Sequence, residues 1–126
     1  MNTKTKSNFG YPQTGLSPED FYTKALAESD ASARRRLFAD ARQSNLCVYR
    51  IYVLAAEVEE KWFATDSTRL KDILLKGVVV FKNPAGQGAQ CSKVTKDQWL
   101  REASESEKRG RPLTARTLRQ VVDEIV

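Results

Sequence analysis

Histidine is absent from the chain. Its absence removes the commonest general acid–base group and the commonest metal ligand. Serine–histidine and cysteine–histidine nucleophile pairs are excluded with it, as are histidine-based zinc and haem sites. Cysteine is scarce: Cys47 and Cys91 are the only two, too few for a disulfide framework or a zinc site. Cys47 sits in an apolar run and reads as a small buried hydrophobe, and a bond to Cys91 is not expected in a reducing compartment. No apolar run approaches the roughly 20 residues that a membrane span needs. The opening residues, MNTKTKSNFGYPQTG, lack the apolar stretch of a secretory signal. These absences lead us to expect a cytoplasmic protein that is not an enzyme and has no cofactor, metal or membrane partner.

What is present is the composition of a globular domain. The 126 residues are 40% hydrophobic and 29% charged, enough to bury a core without metals or disulfides. Residues 1–15 read as a flexible polar tail, and residues 16–126 as a single domain. The formal charge is +5, from 21 basic and 16 acidic residues, and the excess is spread along the chain. Such a balance permits a polyanionic partner without demanding one.

Ser17-Pro18-Glu19-Asp20 is a strong helix start, with a capping serine, a proline suited to the first turn and acids at the positive end of the dipole. Ser29 or Asp30 can cap a second helix, and Asn45 is a natural terminator. The run LCVYRIYVLA reads as a strand, being rich in β-branched and aromatic residues. Glu57–Thr65 alternates as its antiparallel partner, with a hairpin turn near Ala56 and Glu57. Asp66 caps a short helix that Lys76-Gly77 ends, and Val78–Phe81 reads as a short buried strand. Asn83–Gln90 (NPAGQGAQ) is a loop by composition, and a hairpin through it would give a further strand at Cys91–Val94. Thr95 and Gln98 form a capping box, Gly110 stops that helix, and Thr114 caps a last one carrying Leu118, Val121, Val122 and Ile125. The order predicts an α+β fold: a small, mainly antiparallel sheet of three or four strands flanked by N-terminal and C-terminal helices.

The most suggestive short stretch is Arg109-Gly110-Arg111-Pro112. It resembles the core of an AT-hook, whose two arginines enter a narrow A·T minor groove. The same four residues also make a joint between helices, where Gly110 ends one and Pro112 blocks its continuation, and the joint is the better account. Around it, Arg109, Arg111, Arg116 and Arg119 gather at the start of the last helix as candidate phosphate contacts. Arg35 and Arg42, spaced i and i+7, share a face of the second helix and make a further basic patch. NPAGQGAQ lacks the residues of a phosphate-binding loop. Glu57, Glu59 and Glu60 read as solvated carboxylates on a turn, without the paired spacing of acid–base chemistry.

Two functions follow as expectations. The first is a small non-enzymatic binding or regulatory protein acting on nucleic acid or a nucleoprotein complex through its basic helices. The second is a protein–protein interaction module, an inhibitor, adaptor or homodimer, docking through an aromatic strand surface formed by Tyr52, Trp62 and Phe63.

Overall fold

A computed structural model of the chain describes residues 15–63, 66–84 and 91–126. The tail at residues 1–14 and most of the NPAGQGAQ loop, residues 85–90, lie outside the described residues. Among the described residues there are six helices and no strand: α1 (Pro18–Leu26), α2 (Ala31–Ser44), α3 (Arg50–Trp62), α4 (Ser67–Lys82), α5 (Lys96–Lys108) and α6 (Pro112–Ile125). The α+β expectation is overturned.

The main source of the error is α3. Its apolar residues satisfy two periodicities at once. Ile51, Val53 and Ala55 alternate as a strand would, but Ile51, Leu54, Ala55 and Val58 also form an i, i+3, i+4, i+7 stripe. A helix enclosed on all sides is apolar on all sides, so alternation cannot distinguish it from a strand. Nine of the thirteen residues of α3 are buried. The turn expected at Ala56 and Glu57 falls mid-helix, and Glu57–Trp62 simply continues it.

Val78–Phe81 is the final turn of α4, because Gly77 does not end that helix. Gly77 is there for close approach: a Cβ at this position would lie 2.6 Å from Cγ of Tyr52. Cys91–Val94 is irregular, with the Val94 amide donating to the Phe81 carbonyl at 3.2 Å.

The caps behave largely as the sequence indicates. Ser17, Asp30 and Asp66 each accept a hydrogen bond from a first-turn amide of α1, α2 and α4 respectively. The Thr95–Gln98 capping box is formed on α5. Gly110 adopts φ +81°, the left-handed region that glycine tolerates, and closes α5. Thr114 does not cap α6; the helix starts two residues earlier, with Pro112 in its first turn and Arg111 at the N-cap position.

The core forms on the two sides of α3. On one, Val53 and Ala56 meet Leu70, Leu74 and Val78 of α4, Trp99 and Ala103 of α5, and Leu118, Val121 and Val122 of α6. On the other, Ile51, Leu54, Ala55 and Val58 meet Phe21 and Ala25 of α1, Ala41 of α2 and Leu16 just before α1. Phe38 of α2 touches both clusters, packing edge-on to Tyr52 with ring centroids 5.5 Å apart. Cys47 and Cys91 are bonded, tying the α2–α3 connection to the segment before α5. Cys47 is exposed, not the buried thiol expected from its neighbours.

Candidate functional site

The stretch Arg109–Pro112 joins α5 to α6, and its arginines are put to different uses. The Arg109 guanidinium grips Glu57 of α3, with Nη2 donating to Oε2 at 2.7 Å and Nε approaching both carboxylate oxygens at 3.0 and 3.1 Å. The hydroxyls of Tyr22 and Ser106 donate to the same carboxylate at 2.8 and 2.7 Å. Burial raises the Tyr22 hydroxyl above its ordinary pKa, and its hydrogen bond to Glu57 adds to this, while Arg111 opposes it. The Nε of Arg111 is buried with no hydrogen-bond partner. Arg119 pairs with Glu107 at 2.7 Å, and each holds the other toward its charged form. Arg116 is exposed. The four arginines do not form one free basic surface: two are already held by the protein's own carboxylates.

The acids of α3, expected on a solvated turn, are instead brackets between helices. Glu60 accepts from the amides of Leu113 and Thr114 at 3.2 and 2.7 Å and from the Thr114 hydroxyl at 2.7 Å. It does for α6 from a distance what an N-cap side chain does locally. Glu59 receives Arg34 at 2.9 Å and Arg69 at 3.4 Å. Three acids within one turn of an otherwise apolar helix were the available signal; a strand reading placed them outside the core and hid it. Nearby, Oε1 of Glu102 is buried without a partner, and burial raises that carboxyl above the usual carboxylate range although Arg50 and Arg109 pull it down.

The proposed aromatic surface does not exist as such. Tyr52 is 7% exposed and packs in the core between Phe38 and Phe81. Trp62 and Phe63, at the end of α3, are half-buried and flank Arg34 with centroid distances of 5.2 and 5.6 Å.

Arg35 and Arg42 lead to a concave feature. They stand on one lip of an open groove between α2 and α4, of about 280 Å³. Its floor is apolar, made by Phe21, Ala25, Phe38, Ala55, Val58 and Ile73. Arg69 and Lys76 of α4 form the other lip, with Asp72 between them. Five basic residues and two acids line the groove, the acids being Glu59 and Asp72. Arg34 is consumed internally: besides Glu59, its Nη1 donates to the carbonyls of Glu28 and Ser29, both at 2.9 Å. Arg42 lies over the Phe38 ring at 4.4 Å, and its Nε is buried with no hydrogen-bond partner. Arg69 lies over Phe63 at 4.1 Å.

Among the described residues, no group of three or more metal-ligating side chains is placed to hold an ion, and no helix is long and apolar enough to cross a membrane. The described residues are all-helical in architecture, with a groove lined by basic side chains. No protein-family model, curated protein or solved structure matches the chain.

Proposed function

We propose that this protein is a small non-enzymatic binding module that takes an anionic partner on the α2 side of the molecule, in the groove between α2 and α4. The observation that carries the reading is the pairing of an apolar floor with cations on both lips. The C-terminal arginines support such a role less well, since Arg109 and Arg119 would have to leave Glu57 and Glu107. Arg35, Arg42 and Lys76 need no such exchange with a carboxylate among the described residues. Regulation of a nucleic-acid or nucleoprotein machine is one setting in which such a module would act.

The test is a titration with labelled duplex and single-stranded oligonucleotides and with polyglutamate, at low and moderate salt. At least one polyanion should bind at low salt and weaken steeply as salt is added. Replacing Arg35 and Arg42 together by glutamine should abolish most of that binding, while Arg116→Gln should not. Failure of every polyanion to bind, or equal binding by the double variant, would remove the reading.

A further inference from the structure

Resting on that reading of the groove, we infer that its occupant is an acidic amphipathic helix supplied by a partner protein. The lips carry a matched geometry. Arg35 and Arg42 are seven residues apart on α2, and Arg69 and Lys76 are seven apart on α4. Seven residues make two helical turns, about 10.5 Å of rise. The groove is therefore framed by two pairs of cations, each pair two turns long, of which Arg69 is also paired with Glu59 at 3.4 Å. An incoming helix with carboxylates at i and i+7 on both flanks presents the complementary spacing.

The floor settles what lies between those flanks. Phe38 and Ile73 are half-buried and offer apolar surface, with Phe21 and Val58 buried beneath them. Anchors at i, i+3, i+4 and i+7 of an amphipathic helix would cover them, the common mode of helix-in-groove recognition. A phosphate backbone has no apolar side to place there. Duplex nucleic acid also presents its charge on a convex surface, whereas these cations edge a concavity.

The unpartnered Nε of Arg42 is the second sign that something is received here. A buried donor left unmatched is costly, so an arriving carboxylate gains more at this point than at a solvated arginine. Stacking on Phe38 already fixes the guanidinium plane, which reduces the ordering needed on binding. Asp72, between Arg69 and Lys76, disfavours an occupant with acids along its whole length and favours one with acids spaced apart.

The experiment uses the full chain and three synthetic peptides of equal length and charge. One has apolar anchors at i, i+3, i+4 and i+7 with glutamates at i and i+7 on each flank. The second is its scramble, and the third has serine in place of the anchors. Affinities come from anisotropy, and the contact surface from methyl and aromatic NMR shifts. The amphipathic peptide should bind at least tenfold more tightly than either control and shift Ile73 and Phe38. Arg35→Gln with Arg42→Gln, and separately Lys76→Gln, should weaken it, the double change by about tenfold. Ile73→Ser should erase its advantage over the scramble; each variant is first checked for an unchanged helical spectrum. Equal binding of all three peptides would overturn the helix inference while leaving an anionic groove. So would oligonucleotides that bind the groove more tightly than the amphipathic peptide. If no probe of either kind binds, both proposals fall.

Discussion

Glu57 is wholly buried, and a carboxylate in that position survives only if its oxygens are met by donors. Here they are met by Arg109, Tyr22 and Ser106, from three elements at once. Removing Arg109 leaves the charge enclosed without its counter-ion. Arg109→Ala should therefore cost about 2–3 kcal/mol in urea unfolding, somewhat under the 3–5 kcal/mol of a fully enclosed pair, because the Arg109 side chain is 30% exposed. A loss within experimental error would mean that water replaces the guanidinium freely. Glu102 has the opposite problem: it is half-buried, one oxygen has no partner, and its carboxyl is raised above the usual range. A raised carboxyl binds its proton more tightly in the folded state than in the unfolded one. Its contribution is therefore favourable below the ordinary carboxylate range and is lost as pH rises through the raised value. Glu102→Gln should accordingly be more stable than the parent at neutral pH, with the gap closing once both are measured below the carboxylate range. A variant less stable at neutral pH would show that attraction to Arg50 and Arg109 outweighs burial.

Among elements, α3 explains both what could be read from the chain and what could not. Helix ends are written locally: Ser17, Asp30, Asp66, Thr95 with Gln98, and Gly110 act on amides or backbone angles within a few residues of themselves, so their signals survive in sequence. The character of α3 depends on what surrounds it, and neighbours on both sides make its first half apolar on nearly every face. The same holds at Gly77, which resembles a helix stop until Tyr52 is seen against it. Alanine there would gain about 1 kcal/mol of helix propensity. Its Cβ, however, would stand 2.6 Å from the Tyr52 ring. Overpacking of that kind costs about 1–3 kcal/mol, and the ring is in a filled core. We expect Gly77→Ala to lower the thermal midpoint, and to lower it less when Tyr52 is also replaced by leucine. A raised midpoint in the single variant would mean the ring moves aside at no cost.

For the molecule as a whole, the Cys47–Cys91 bond closes a separation of 44 residues and links the two ends of the α3–α4 unit. In the chain-entropy account a loop of that size is worth about 4 kcal/mol, and measured values run at about 2–4 kcal/mol. Replacing both cysteines by serine should lower unfolding free energy within that range without changing the helical spectrum. Two free thiols in protein unfolded without reductant would contradict the bond. The same titration bears on compartment, since a cytoplasmic setting keeps such thiols reduced and an oxidising one does not. The net charge of +5 also looks different in three dimensions. Much of the arginine is spent on the α3 acids and on surface pairs, and Arg35, Arg42 and Lys76 remain at the groove between α2 and α4.

The sequence alone settled the N-caps of α1, α2, α4 and α5 and the Gly110 stop, the lack of imidazole chemistry, and the shared face of Arg35 and Arg42. Each of these is fixed by residues close together in the chain or by composition. Tertiary structure decided that α3 is a helix, that Glu57 and Glu60 secure the α5–α6 joint, that the cysteines meet, and that Arg69 and Lys76 face Arg35 and Arg42 across an apolar floor. Those outcomes depend on which surfaces enclose a segment and which distant charges answer it, and such information exists only once the helices have packed.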